Sequence, residues 1–185
     1  MQMKRLVMLL PLLALICSKA SAADEFDAVR CGADIPQALI GRHSPNGRVV
    51  VTEARHRDLA LKDLGADIIT DEISMVDWSI CGAEYYVLVD QHDIIRDVLP
   101  FPNHSRAAPA SSGQCQRNGR EMDEIIYSVL DNSAGSNKTY DQNDKTLLPA
   151  LSAWKVDVKK VKFVKLDVGG MLCPLSAIDP IDRVP

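Results

Sequence analysis

The segment Glu53–Asp58 concentrates acidic, basic and imidazole side chains. On a helix, Glu53 and His56 are three residues apart and share a face, so a carboxylate could orient the imidazole ring. His56 would then act as the general base of a hydrolase or a metal-dependent enzyme, with Glu53 or Asp58 as the orienting group. The competing interpretation is a solvated helix face whose ion pairs contribute little to stability. We favour this second interpretation.

Other motifs that carry chemistry are missing from the sequence. His43, His92 and His104 lie at none of the close spacings that are typical of zinc ligands. Residues 141–144 (Asp-Gln-Asn-Asp) have neither the central glycine nor the terminal glutamate of a calcium-binding hand loop. No G-x-S-x-G nucleophile elbow is present. We therefore expect no catalytic site, no cofactor and no metal, and we favour a non-enzymatic role.

The first residues have the pattern of a secretory signal. Lys4 and Arg5 form a short basic region, residues 6–16 form an apolar run, and residues 20–22 (Ala-Ser-Ala) suit a cleavage site. This order predicts a signal peptide over residues 1–22 that is removed on export. The apolar run is too short for a transmembrane helix, which needs about 20 residues. The sequence therefore predicts a periplasmic or secreted protein without a membrane span.

Removal of residues 1–22 leaves a more acidic chain. It takes away three of the 21 basic residues and none of the 25 acidic ones, which changes the net charge from −4 to −7. Nucleic acids and anionic membranes bind basic surfaces, so we expect neither as a partner. A cationic protein or peptide is compatible with the charge, although solubility alone explains moderate acidity equally well.

Four cysteines follow the predicted signal peptide: Cys31, Cys81, Cys115 and Cys173. An even number without a C-x-x-C pair, in an exported chain, predicts two disulfides rather than a zinc or redox site. Three pairings are open. We favour Cys31–Cys81 and Cys115–Cys173, because each closes a loop within one half of the chain. In the chain-entropy model such a loop contributes about 4 kcal/mol to the free energy of unfolding.

The residue pattern predicts an α+β fold, mainly antiparallel β-sheet with one or two short helices and the two disulfides. Helices are predicted over residues 34–41 and 53–64, from end signals in the first and good helix formers in the second. Strands are predicted over residues 47–52, 67–70, 76–80, 85–89, 94–99, 124–130, 153–158 and 161–166. Short links between neighbouring strands favour antiparallel order.

We expect residues 23–185 to form a single disulfide-bonded domain, with two lobes over 23–102 and 115–185. The segment 103–119, rich in Ser, Pro, Ala and Gly, is predicted to be a surface loop that joins the lobes. Residues 132–146 form a second long loop. Long loops in compact domains are often binding elements or flexible segments.

Three function classes stay open after the sequence analysis. We prefer a small extracytoplasmic binding or inhibitor-like module, because the chain is acidic, rich in predicted strands and without a catalytic constellation. The first alternative is the hydrolase or metal-dependent enzyme, which requires His56 to meet Glu53 or Asp58 in a concave pocket. The second alternative is a structural component of an envelope assembly, which requires a large exposed apolar patch on one sheet face.

Overall fold

The computed structural model describes residues 24–44, 49–133 and 146–175. The helices are α1 (Ile35–Leu39) and α2 (Val49–Arg55), and a 3₁₀ turn follows at Arg57–Leu59. The strands are β1 (Lys62–Thr70), β2 (Ile73–Ile80), β3 (Ala83–Asp90), β4 (Ile95–Pro100), β5 (Ala110–Arg117), β6 (Arg120–Leu130), β7 (Leu147–Asp157), β8 (Lys162–Lys165) and β9 (Met171–Pro174). The predicted fold class is confirmed. The predicted signal peptide and residues 134–145 of the second long loop lie outside the described residues.

The first four strands form an antiparallel meander in the order β1-β2-β3-β4. One face of this sheet packs on the chain's first described residues and on α1, in a core that includes Phe26, Leu39, Trp78, Ile80 and Val87. The disulfide Cys31–Cys81 ties this N-terminal segment to the turn between β2 and β3. Strand β2 is buried along most of its length because both faces of the sheet are covered.

The second sheet has the order β6-β5-β9-β7-β8, and β6 also pairs with β7. Strands β5, β6, β7 and β9 therefore close into a small barrel, with β8 beside β7. The interior holds Ile126, Leu130, Met171 and the fully buried Cys115–Cys173 disulfide, which links β5 to β9. Both predicted disulfide pairings are confirmed.

The two sheets pack through a shared apolar cluster. It combines residues of the meander with residues of the barrel: Ile73, Met75, Tyr86, Leu88, Phe101, Ala110, Tyr127, Val129 and Trp154. The rings of Tyr86 and Phe101 stack at a centroid distance of 4.3 Å. At the β4 side of the meander the Phe163 main-chain N–H of β8 donates to Asp97 Oδ2 at 2.8 Å. This hydrogen bond connects the two sheets at β4, and β1 lies at the opposite edge of the meander.

The predictions for residues 47–64 are wrong in their element types. Val51 and Thr52 belong to helix α2 rather than to a strand, and Gly47 and Arg48 lie outside the described residues. The sequence predicts a helix over residues 53–64, but in the structure helix α2 ends at Arg55 and strand β1 begins at Lys62. Tertiary contacts override weak local propensities here, because Thr52 is buried and Arg55 forms ion pairs with the chain's first described residues.

The prediction of a loop throughout residues 103–119 is also wrong. Residues 110–117 form β5, which lies between β6 and β9 in the barrel. Its small residues suit a crowded position, because a Cβ atom added to Gly113 would lie 3.1 Å from the Pro174 ring. The overlooked signal is Asn118-Gly119, the strongest short sequence pattern for a two-residue hairpin turn.

Candidate functional site

The three side chains of the hypothetical catalytic group have different surroundings. His56 is 12% exposed, and its Nε2 lies 3.5 Å from Asp24 Oδ1 and 3.7 Å from Asp27 Oδ1. Glu53 instead accepts the main-chain N–H of Asp63 at 2.5 Å. Asp58 is exposed in the 3₁₀ turn. The carboxylates that meet the imidazole therefore come from the chain's first described residues and not from its own segment.

The acidic residues around His56 hold the N-terminal segment in place. Arg55 contacts Asp24 at 3.4 Å and Asp27 at 3.2 Å, and the Asp24 N–H donates to Asp27 Oδ2. Phe26 lies between them in sequence and packs edge-on against Trp78, with ring centroids 4.7 Å apart. These contacts join residues 24–27 to α2 and to the meander core. A structural anchor accounts for them without a catalytic role.

A second histidine forms the shortest His–carboxylate contact among the described residues. His104 Nε2 lies 2.7 Å from Glu84 Oε2, and their side chains are 10% and 12% exposed. His104 belongs to the segment between β4 and β5 that connects the sheets, and its ring packs near Phe101. The pair thus holds the segment between β4 and β5 against strand β3. Within the described part of the chain, this ring contacts Glu84 and Phe101, and this geometry supports a structural role.

Within residues 24–44, 49–133 and 146–175, no group of three or more His, Cys, Asp or Glu side chains is arranged to hold a metal ion. No helix in these same residues is long and apolar enough to cross a membrane.

A groove with a volume of about 480 Å³ lies between the open side of the meander and the barrel. We call it the β1–β6 groove. It is lined by residues of β1, β5, β6 and the end of β7: Asp67, Ile68, Ile69, Ser112, Gly113, Asp123, Glu124, Ile125, Tyr127, Val156 and Val158. Its volume lies within the range of ordinary ligand pockets, about 300–1,000 Å³.

The groove exists because strands β6 and β7 separate. They pair only between Tyr127–Leu130 of β6 and Ala150–Trp154 of β7. Beyond Trp154, β7 pairs with β8 and not with β6, which leaves Ile125 and Ile126 of β6 with one described strand partner, β5. The side chains of Glu124 and Lys155 span the gap with a 2.6 Å ion pair. That bond lowers the pKa of the Glu124 carboxyl.

The groove combines negative charge with exposed apolar surface. Its lining contains three carboxylates, those of Asp67, Asp123 and Glu124, and no basic side chain. Ile68 is 84% exposed and Ile125 is 50% exposed, so the groove offers apolar surface beside its carboxylates. Burial, and then the nearby Asp67 carboxylate, raise the pKa of the Tyr127 phenol. This surface suits a ligand that carries both positive charge and apolar groups.

Sequence reasoning did not single out these groove residues as a site. Asp67-Ile68-Ile69 and Asp123-Glu124-Ile125 each place acid beside isoleucine in a strand. That alternation is equally typical of an ordinary half-exposed strand, so the local pattern carries no functional signal. Only the packing of the two sheets brings the segments together.

The comparisons with known proteins give no family and no relative. No protein-family model, no curated protein and no solved structure matches this chain.

Proposed function

We infer that this chain is an exported binding module that holds a cationic segment of a protein or peptide in the β1–β6 groove. The observation that carries the proposal is the lining of the groove, with three carboxylates, no basic side chain and the exposed residues Ile68 and Ile125. Charge complementarity selects cationic partners, and apolar burial supplies affinity once the partner is seated.

Two of the three carboxylates are available to a partner. Glu124 is already paired with Lys155. Asp67 and Asp123 have no ion pair among the described residues, and both are exposed. A lysine or arginine of the partner would therefore gain a favourable contact without displacing an existing cation. The overall charge of −7 expected after signal removal adds a long-range attraction in the same direction.

Export is the second part of the proposal. The basic and apolar start of the chain and the Ala-Ser-Ala cleavage sequence support it. The two disulfides support it as well, because disulfides persist in oxidising compartments such as the periplasm and the extracellular space. The partner would then be met outside the cytoplasm.

The binding test uses a synthetic probe, an acetylated and amidated decapeptide of alternating lysine and valine. At about 50 mM salt, where surface charges are weakly screened, we expect calorimetry to detect one site. The double variant Asp67→Asn/Asp123→Asn should weaken binding about tenfold, since each exposed charge pair contributes up to about 1 kcal/mol.

The matched control is Asp71→Asn/Glu72→Gln. These exposed acids lie in the turn between β1 and β2 and do not line the groove. Like the groove variant, the control removes two negative charges, so the change in net charge is the same. The control should alter affinity by less than about threefold, because only general attraction is reduced. Equal losses of peptide affinity in the two double variants, or no binding of the peptide by the parent protein, would refute the proposal.

The two alternatives have weaker support in the geometry. The hydrolase hypothesis requires His56 with Glu53 or Asp58, whereas the imidazole is adjacent to Asp24 and Asp27. The assembly hypothesis requires a large apolar patch. On the barrel's surface Leu151 and Leu172 are exposed, and a few such side chains are normal for a monomeric protein.

A further inference from the structure

Strand β1 leaves one main-chain edge open beside the groove. It pairs with β2 on one side, in regular register from Gly65 to Ile68, and with none of the described strands on the other. Within the described chain, residues 66–70 make no main-chain hydrogen bond on that second side. Alternate N–H and C=O groups of an edge strand point outward and are available to another chain.

Several other positions on the meander's edges have partners among the described residues. At β4, the Gly41 N–H donates to the Ile95 carbonyl and the Ile95 N–H donates to the Arg42 carbonyl. Farther along β4, Asp97 accepts the Phe163 N–H of β8. The start of β1 is covered by α2, where Glu53 accepts the Asp63 N–H. Along β1, the cover that α2 provides at Asp63 does not extend to residues 66–70.

We propose that the cationic partner segment binds in extended conformation and adds a strand to the outer edge of β1. This inference rests on the function proposed above and specifies the form of the ligand. Main-chain hydrogen bonds to the β1 edge would provide affinity, as in other cases of strand addition to an exposed sheet edge. The β1–β6 groove would receive the side chains on one face of the added strand.

The residues of β1 define which side chains the added strand should carry. Asp67 lines the groove and has no ion pair with another described residue, and the adjacent Ile68 is 84% exposed. Residues directly opposite each other on paired strands interact, and opposite charges or two apolar groups are favourable pairs. A basic residue opposite Asp67 would form the pair of opposite charges, and an apolar residue opposite Ile68 would form the apolar pair. The preferred ligand thus alternates basic and apolar residues.

The deciding experiment compares two N-methylated forms of the lysine–valine decapeptide. One form is methylated at the main-chain nitrogens of its lysines and the other at those of its valines. In an added strand, alternate N–H groups face β1, so one set of methyl groups blocks the hydrogen bonds and the other faces away. We expect at least a tenfold difference in dissociation constant between the two forms. Their equal numbers of methyl groups make each the control for the other.

The outcomes separate this inference from the function on which it rests. Binding of the parent peptide with less than a threefold difference between the methylated forms would overturn strand addition and leave the binding function intact. Absence of parent binding would overturn both proposals.

Amide hydrogen exchange supplies an independent measurement on the protein. In the complex with the unmethylated peptide, the outward-facing amides within residues 66–70 should exchange at least tenfold more slowly. The amides of β1 that bond to β2 should change less. Unchanged exchange of the outward-facing amides in a saturated complex would overturn strand addition.

Discussion

Asp90 shows how one side chain orders a turn. Its Oδ1 accepts the main-chain N–H groups of His92 at 2.9 Å and Ile94 at 3.0 Å, between β3 and β4. Burial raises the pKa of the Asp90 carboxyl, but these two hydrogen bonds and the charge of Arg96 outweigh it, so that the pKa is lowered overall. Asp93 in the same turn has a φ of 58°, which the bonds help to hold.

Replacement of Asp90 by alanine should lower the free energy of unfolding by about 1–2 kcal/mol, because two main-chain donors lose their acceptor. Asp90→Asn keeps one acceptor oxygen and should lose less. Urea unfolding measures both values. An alanine variant as stable as the parent protein would contradict this role.

The contribution of the Asp90 charge should depend on pH. The folded-state pKa lies below the unfolded value of about 3.9, so the stabilisation is complete above that pH and is lost as the pH falls through the folded pKa. The stability difference between the parent protein and Asp90→Asn should therefore shrink below about pH 4. A difference independent of pH between 2 and 7 would contradict the assignment.

At the scale of elements, the β5–β6 hairpin is determined by its turn. Asn118 and Gly119 have φ values of 52° and 76°, a left-handed conformation that asparagine and glycine adopt most easily. The turn also positions the start of β6, whose Asp123 and Glu124 line the groove.

Gly119→Val should destabilise the protein by about 1–2 kcal/mol, because a β-branched residue is strained at positive φ. Space is not the cause, since a Cβ atom at Gly119 meets nothing within 4 Å. Gly119→Asn is the matched comparison and should cost less. Thermal unfolding of the two variants tests this, and equal melting temperatures would contradict the backbone explanation.

Helix α2 illustrates the limit of local pattern at the same scale. A run of β-branched residues predicts a strand, yet Val49–Arg55 is helical. The ion pairs of Arg55 with Asp24 and Asp27 involve residues about 30 positions away in the sequence. A window of a few residues contains no information on such partners.

At the scale of the whole molecule, each disulfide closes one half of the fold. Cys31–Cys81 joins the N-terminal segment to the meander, and Cys115–Cys173 joins β5 to β9 inside the barrel. They span 50 and 58 residues of sequence, so loop closure alone gives the two bonds similar contributions of about 4 kcal/mol.

The two disulfides should differ in how much they contribute to the free energy of unfolding, because they differ in burial. Cys115 and Cys173 are fully buried, whereas Cys31 is exposed. The double variant Cys115→Ala/Cys173→Ala should therefore lose about 1–2 kcal/mol more than Cys31→Ala/Cys81→Ala, because it also leaves a cavity in the barrel core. Denaturant unfolding of both double variants measures the difference. A larger loss in the Cys31–Cys81 variant would contradict this ranking.

The residue pattern was enough to predict the fold class, most strand positions and the presence of two disulfides, and it favoured the observed cysteine pairing while leaving three pairings open. These features depend on local alternation, on short connections and on the number of cysteines, all of which are read along the chain. The position of α1 also follows from local chemistry, because Asp34 accepts the Gln37 N–H as its cap and Pro36 lies in the first turn.

Only the tertiary structure decided the closure of the barrel, the surroundings of His56 and the β1–β6 groove. In each case the contacts join segments far apart in sequence, as with His56 and Asp24, or Asp67 and Asp123. The groove arises because β6 and β7 pair over part of their length and β1 remains an edge. Strand register and sheet packing create that surface, and neither is encoded in the pattern of a single strand.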